Sequence, residues 1–318
     1  MDAADAAQIT DALRDALSAQ PGRARDVVAE FGWYELMAEE PEVAVSSLFT
    51  LAGELLLPRS QLDSVLLAAA GEEFGGIDAR VVLPPPGTSR PAGSRVDAHT
   101  VELAGVVQAG TTPILVALRD DDGRHSLVMC DAPDDAPGDP LDTAAGWVRA
   151  TATASVSTTV DVADATAAWA AMVAAGRRAL SHELVGVGSA MMRMTVEHVG
   201  SREQFNQPLG SFQAVKHQLA DVHLWHQIAE LSAGAAWENA DGPSAALAKA
   251  AAIRSSRSAR AVCQQLLGGM GFTWEHDFHR YLRRALTLEP LLGGAAELHA
   301  ELGAVLRSGD LSESLVAL

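Results

Sequence analysis

A helical periodicity in the second half of the chain is interrupted by one short turn. Between Thr166 and His198, apolar side chains recur at three- and four-residue steps, a spacing typical of a helix in a bundle. Pro208-Leu209-Gly210 then breaks the chain, and a second helical pattern opens at Ser211. The sequence therefore predicts a chain that is nearly all helix from Asp164 onward.

The interrupting segment places an arginine and several aromatic side chains between the two helices. Arg202 presents a planar set of N–H donors that suits a phosphate or pyrophosphate. The apolar positions 212, 215, 219 and 222 that follow fit a helix with one buried face. We interpret this turn as a phosphate-binding corner. The alternative is an ordinary interhelical turn with a surface arginine.

Two segments carry a resemblance to a known family. Residues 202–213 resemble the signature of acyl-CoA dehydrogenases, Arg-x-x-Phe-Gly-x-Pro-Leu-x-x-Phe-Gln, except that Asn206 stands where glycine is usual. Both residue types tolerate a left-handed backbone. Residues 265–272 resemble the family's Gln-x-x-Gly-Gly-x-Gly-Phe segment at the expected distance. The resemblance implies a mostly α fold with a small β insert: an N-terminal helical domain, a reduced middle β-domain and a C-terminal four-helix bundle.

The resemblance also implies a cofactor. In the family, both segments of one subunit reach across a dimer interface to the ADP half of an FAD held mainly by the neighbour. By this resemblance Arg202 binds the pyrophosphate, Gln204 hydrogen-bonds nearby, and aromatic and leucine side chains pack against the cofactor. Glutamine and glycines of the second segment line the adenosine side, where glycine permits close backbone approach. The predicted cofactor-binding residues are Arg202, Gln204, Phe205, Leu209, Phe212, Gln265, Gly268 and Gly269.

Family members need a carboxylate base that removes the proton alpha to a thioester, and neither position implied by the resemblance has one. Aligning residues 283–285 with the start of the family's base segment puts Leu292 where the Glu belongs. The second known position falls near Gly176. We therefore predict no catalytic residue in this chain, with Glu183 and Glu289 as the alternatives for a relocated base.

The middle of the chain, from about Val101 to Val162, has period-two alternation and β-branched residues, which predicts strands. Residues 120–123 predict a hairpin turn, and residues 131–140 predict an exposed acidic loop. The segments with which family members hold the flavin ring and the thioester, Thr-Glu-x-x-x-Gly-Ser-Asp and Trp-Ile-Thr, are not visible. With the base missing as well, the chain keeps only the features that resemble contacts to a neighbour's FAD.

These features lead to one hypothesis and two alternatives. The hypothesis is a FAD-supporting, non-catalytic subunit of a heteromeric acyl-CoA dehydrogenase, similar to the shortened subunit of actinobacterial steroid side-chain enzymes. It implies a full-length partner that carries the catalytic Glu, an α2β2 heterotetramer and an acyl-CoA substrate. One alternative is a self-sufficient homo-oligomeric dehydrogenase that uses Glu183 or Glu289 as its base. The other is a helical scaffold without flavin.

Charge and hydropathy restrict the class of protein. The net charge of −18 argues against non-specific nucleic-acid binding, which depends on neutralising phosphates. No apolar run approaches the roughly 18 residues of a membrane span, and no secretion signal is visible, so a cytoplasmic location is expected. With 318 residues, 48% of them hydrophobic, the chain can form subdomains, predicted at 1–96, 97–162 and 163–318.

Three other patterns have a structural interpretation beside a functional one. His223/His226 and His276/His279 have metal-ligand spacing but no third ligand, so no metal site is predicted. Gly186 and Gly188 favour close helix packing over a dinucleotide fingerprint, because a third glycine and a preceding strand are missing. The arginines at positions 254, 257 and 260 share a helix face, which is either solvated or borders a nucleotide phosphate.

Overall fold

The computed structural model describes residues 2–74, 76–120, 122–132 and 142–309. The N-terminal part folds into short helices separated by tight turns. Its helices are α1 (Ala3–Ala19), α2 (Ala24–Glu30), α3 (Trp33–Glu39), α4 (Pro41–Leu55) and α5 (Leu62–Ala70). α4 ends because Leu56 adopts a left-handed conformation at φ 51°, and Pro58 follows it.

The middle of the chain forms a sheet that closes on itself. Its strands are β1 (Arg80–Val81), β2 (Gly93–Arg95), β3 (Thr100–Gln108), β4 (Ile114–Arg119), β5 (His125–Cys130) and β6 (Trp147–Thr159). Their order is β1-β4-β2-β3-β6-β5, and β4 also pairs with β5. The predicted hairpin turn between β4 and β5 is confirmed by a 3.0 Å hydrogen bond from Gly123 N to Asp120 O. Most of the predicted acidic loop, residues 133–140, lies outside the described residues.

The sheet begins earlier than the predicted domain boundary. Its first two strands, β1 and β2, precede residue 97, which the sequence had assigned as the start of the β-domain. β1 pairs with β4, and β2 pairs with both β3 and β4, so both short strands belong to the same sheet as the later strands. The three predicted domain ranges otherwise stay predictions.

The C-terminal part is a helical bundle, which confirms the mostly α fold with a small β insert. Its helices are α6 (Ala165–Ser201), α7 (Gln213–Asn239), α8 (Gly242–Leu267), α9 (Phe278–Leu288) and α10 (Ala295–Ser308). Asp164 caps α6, because its Oδ1 accepts 2.9 Å hydrogen bonds from the backbone N–H groups of Thr166 and Ala167. α7 begins two residues later than Ser211, since residues 209–211 form a 3₁₀ turn.

Close backbone contact fixes α4 against α6. A Cβ on Gly186 would collide with the backbone of Thr50, and a Cβ on Gly53 would collide with the backbone carbonyl of Glu183. Glycine at both crossings lets the two helices approach more closely than any side chain would allow. The close-packing interpretation of Gly186 is therefore confirmed, and the N-terminal helices are locked to the bundle at this crossing.

Candidate functional site

The arginine corner, which we define as residues 201–212, is a tight hairpin between α6 and α7. Strands β7 (Glu203–Gln204) and β8 (Gln207–Pro208) pair antiparallel, and the two residues between them turn the chain. Phe205 and Asn206 have φ values of 53° and 62°, so both lie in the left-handed region. Asparagine adopts this conformation more readily than most residues, which explains how Asn206 replaces the usual glycine.

Arg202 lies at the C-terminal end of α6 with its side chain exposed. Its backbone N–H donates to His198 O at 2.8 Å, and its backbone carbonyl accepts from Leu209 N at 2.8 Å. Within the described part of the chain, the guanidinium has no hydrogen bond or ion pair. An exposed guanidinium on a fixed backbone keeps its donors free for a phosphate group.

The other predicted residues of the arginine corner follow Arg202 in sequence. Gln204 Nε2 donates to Glu203 O at 2.8 Å. The Phe205 side chain is 86% exposed and meets the Phe212 ring edge-on, with 6.2 Å between ring centroids. Leu209 and Phe212 are half-buried. A phenylalanine this exposed is an apolar surface that a ligand or a neighbouring chain could cover.

The glycine segment, residues 265–272, ends α8 and continues as a 3₁₀ turn. Gly268 takes a φ of 59° there, which favours glycine. Nothing lies within 4 Å of a Cβ built on Gly268 or Gly269. Gln265 is exposed, and Phe272 is 74% exposed. The backbone at these glycines is thus open to direct contact by another molecule.

The structure brings the two segments to the same end of the bundle. The helices next to the two segments pack together in one apolar cluster. α6, α7, α8 and α9 contribute to this cluster, which includes Met191, Val222, Cys263 and Phe278. Burial lowers the pKa of His198, and the nearby His276 and Arg202 lower it further. His198 is therefore close to Arg202 and to His276, which follows the glycine segment. The sequence predicted the two segments, and the packing of the helices brings them to the same end of the bundle.

The two positions where a base was sought lie in contact with each other. Leu292 is fully buried, and its Cδ1 occupies the space that a Cβ on Gly176 would need. Leu66 Cδ2 lies 2.9 Å from the same point. Arg177, next in sequence, donates from Nε to Leu292 O at 2.9 Å and pairs with Glu301 at 2.9 Å. The region is closed by apolar side chains and contains no carboxylate at either position.

Glu183 lies inside the protein, at 2% exposure, and is committed to an ion pair. Its Oε1 accepts from Arg284 Nη1 at 2.8 Å, and Arg284 Nε donates to Asp142 Oδ2 at 2.5 Å. Arg284 Nη2 also donates to Leu57 O at 2.9 Å. Burial raises the pKa of Glu183, and Arg284 opposes that rise. This arginine joins α9 and α6 to the segment that follows α4 and to the segment that precedes β6, so the contact has a structural role.

Glu289, the second alternative, is also buried and paired. Its carboxylate accepts hydrogen bonds from Ser256 at 2.8 Å and from Arg260 at 3.1 Å, and Arg257 lies 3.3 Å away. The Arg254 guanidinium lies 4.7 Å from the Trp225 ring centroid. Arg257 and Arg260 are therefore paired with Glu289 and Arg254 is stacked on Trp225, while the prediction that this arginine face borders a nucleotide phosphate stays a prediction.

A cleft of about 360 Å³ lies between the first turns of α6 and the sheet. Trp169, Val173 and Ala174 form an apolar wall. Among the described residues that line it, the one carboxylate is Glu301, which is held by Arg177. The cleft therefore presents no unpaired acid to a bound molecule.

One exposed residue beside the glycine segment was missed from the sequence. Trp274 is 75% exposed, the Arg283 guanidinium lies 4.8 Å from its ring centroid, and the His279 ring lies 4.7 Å away. Its only sequence signal is its position two residues after Phe272, since an exposed tryptophan cannot be distinguished from a core one by periodicity.

In the described ranges, no group of three or more candidate ligands could hold a metal ion. None of the described helices is long and apolar enough to cross a membrane.

The comparisons with known proteins agree with this fold. Residues 166–305 match the acyl-CoA dehydrogenase C-terminal domain. Acyl-CoA dehydrogenase FadE34 of Mycobacterium tuberculosis is 32% identical over 272 residues, 82% of this chain and 36% of FadE34. Acyl-CoA dehydrogenase IpdE2 of the same organism is 38% identical over 119 residues, 37% of each protein. The chain thus matches little more than a third of the length of each of these relatives.

Solved structures of low sequence identity have the same fold over nearly the whole chain. The Tcur3481-Tcur3483 steroid ACAD variant is 21% identical with a TM-score of 0.76, covering 97% of this chain and 99% of that one. The ChsE4-ChsE5 complex from Mycobacterium tuberculosis is 22% identical with a TM-score of 0.73, covering 96% and 98%. The fold is that of the acyl-CoA dehydrogenases. With the matching C-terminal domain and relatives, the chain belongs to the acyl-CoA dehydrogenase family.

Proposed function

We propose that this chain is a FAD-supporting, non-catalytic subunit of a heteromeric acyl-CoA dehydrogenase. The observation that carries the proposal is the contact between Leu292 and Gly176, which fills the region of both expected base positions with buried apolar atoms. Proton removal alpha to a thioester requires a carboxylate within reach of the substrate. A full-length partner subunit would supply it.

The ADP half of FAD fits the exposed end of the bundle. Arg202 has a free guanidinium for the pyrophosphate, and Gly268 and Gly269 leave open space for an adenosine group beside Gln265. Phe205 offers 86% of its surface to a neighbouring molecule. When bound, FAD accepts the hydride that leaves the beta carbon of the acyl group. This chain would bind and orient the ADP half, while the partner would hold the flavin ring.

An exposed apolar face supports assembly with another subunit. Leu224, Ile228 and Leu231 are 57%, 37% and 72% exposed, and their spacing places them on one side of α7. Apolar side chains that follow one helix face in this way mark an interaction surface. We assign this face to a full-length acyl-CoA dehydrogenase subunit in an α2β2 heterotetramer.

The comparisons support a heteromeric setting and a substrate class. Two structures with this fold are named as ChsE4-ChsE5 and Tcur3481-Tcur3483, each a pair of chains, and the second is described as a steroid ACAD. FadE34, of which this chain covers 36%, is long enough to contain the chain and a second one of similar size. The acyl-CoA substrate we propose is therefore a bulky one, such as a steroid side-chain thioester, and the enzyme would act in the cytoplasm.

The test is to purify the chain alone and after co-expression with a full-length family member encoded beside it. Flavin absorbance and acyl-CoA dehydrogenase activity are measured in both preparations. We expect yellow, active protein only in the mixture. Yellow and active protein from the chain alone would favour the self-sufficient enzyme instead. A colourless complex of normal stoichiometry would favour the flavin-free scaffold.

A further inference from the structure

We propose that Trp274 is the platform on which the adenine ring of FAD stacks. The inference rests on the proposed function, because it concerns the same shared cofactor. Trp274 lies between the glycine segment and α9, two residues beyond Phe272. Its indole is therefore at the end of the segment that we assign to the adenosine side of FAD.

The ring of Trp274 is exposed but held in place. Arg283, one turn into α9, lies 4.8 Å from the indole centroid, and the His279 ring packs against it at 65°. These contacts fix the side chain while 75% of its surface stays exposed. A fixed aromatic ring loses little conformational entropy when a planar group stacks on it. A nucleobase is planar and can stack on such a ring with either face.

The charges around Trp274 suit a nucleoside diphosphate. The protein carries a net charge of −18, yet the Arg283 guanidinium lies against the Trp274 ring, and Arg202 and His276 are both close enough to His198 to lower its pKa. Arg202 has no acidic partner in the described part of the chain. A pyrophosphate bound at the arginine corner would meet the guanidinium of Arg202, and the Trp274 ring would lie on the adenosine side. The two segments thus offer a partner for each component of an ADP group.

Trp225 provides a matched control. The Arg254 guanidinium lies 4.7 Å from the centroid of the Trp225 ring, so this tryptophan also has a cation–π contact. Trp225, however, lies on α7 and is half-buried. Replacing Trp225 removes an indole and a cation–π contact without touching the glycine segment. An effect that is specific to Trp274 is therefore due to its location and exposure, and not to the loss of a stacked tryptophan in general.

The experiment uses the co-expressed complex, stripped of flavin and titrated with FAD and separately with ADP. We expect Trp274→Ala to weaken the binding of both ligands by the same factor, about tenfold to a hundredfold. Trp274→Phe should retain most of the affinity, because a ring remains, and Trp225→Ala should bind as the wild type does. Gel filtration should show an intact complex for each variant.

Three results would overturn the assignment. The first is an FAD affinity of Trp274→Ala within twofold of the wild type, and the second is a loss for FAD without a loss for ADP. Dissociation of the subunits in Trp274→Ala would instead assign the ring to the partner's surface and would also refute the adenine platform. Arg202→Ala separates this inference from the proposed function. If Arg202→Ala loses FAD while Trp274→Ala keeps it, only the platform fails; if both keep it, the shared cofactor fails too.

Discussion

Leu292 packs directly over Gly176, so that the side chain of one fills the space that a Cβ on the other would occupy. These are the two positions at which the family resemblance implies a catalytic carboxylate, one on α6 and the other between α9 and α10. Because of this contact, the two positions that lack the expected acid are packed against each other. Restoring an acid at either position alone would place it among buried leucines, including Leu66.

This contact predicts coupled effects on stability. Gly176→Ala should destabilise the protein by about 1–3 kcal/mol through overpacking, and Leu292→Ala by about 2–5 kcal/mol through a cavity. The double variant should cost less than the sum, because the added methyl group enters the space that the leucine leaves. Urea unfolding of the four proteins measures the coupling. Gly200→Ala is the control, since nothing lies within 4 Å of its Cβ position; strict additivity would contradict the packing.

Arg202→Ala should remove FAD from the complex without unfolding it. Loss of one charge-assisted phosphate contact costs about 1.5–3 kcal/mol, which corresponds to roughly 10- to 150-fold in affinity. The flavin-to-protein absorbance ratio after dialysis measures this loss. Arg124→Ala is the control, as this arginine is also exposed but lies in the turn between β4 and β5. Stoichiometric flavin in Arg202→Ala would refute the assigned role.

Glu183→Gln and Glu289→Gln should leave the turnover of the assembled enzyme within about threefold of the wild type. Both carboxylates are buried in ion pairs, with Arg284 and with Arg260 respectively. Removing a general base lowers rates by about 10²–10⁴-fold. The measurement is activity per folded complex, with the folded fraction taken from circular dichroism. It decides whether either glutamate acts as a general base. A hundredfold loss in either variant would identify a relocated base and revive the self-sufficient enzyme.

His182 should make the protein less stable in mild acid. It is buried, its Nε2 accepts from Trp237 Nε1 at 3.1 Å, and burial lowers its pKa to about 4. The unfolded chain, with a histidine pKa near 6.5, then binds a proton that the folded chain does not. Stability is therefore lost as the pH falls from about 6.5 to about 4, by at most about 3 kcal/mol.

Thermal or urea unfolding across that pH range tests the effect of His182. His182→Gln keeps an acceptor for Trp237 and cannot titrate, so its stability should fall less steeply with acid than that of the wild type. His99→Gln, which changes an exposed histidine, should keep the wild-type slope. Equal slopes for His182→Gln and the wild type would show that another group controls the acid sensitivity.

Much of the fold was predictable because its signals are local. The helical period from Asp164 onward predicted α6, which the structure ends at Ser201, and the alternation after Val101 predicted the strands of the sheet. Asn206 could be assigned to a left-handed turn because its residue type permits one. The short strand at Arg80–Val81 was missed, since two residues carry no period.

The sequence by itself determined which residues are present at the arginine corner and the glycine segment, and that Leu292 and Gly176 are not acids. Only the tertiary structure decided that these two non-acidic positions touch, because residues 116 positions apart meet only when α6 and the α9–α10 connection pack. It also decided that Glu183 and Glu289 are buried in ion pairs while Trp274 is exposed. Burial and pairing depend on what the rest of the chain places around a side chain, and no local pattern encodes that.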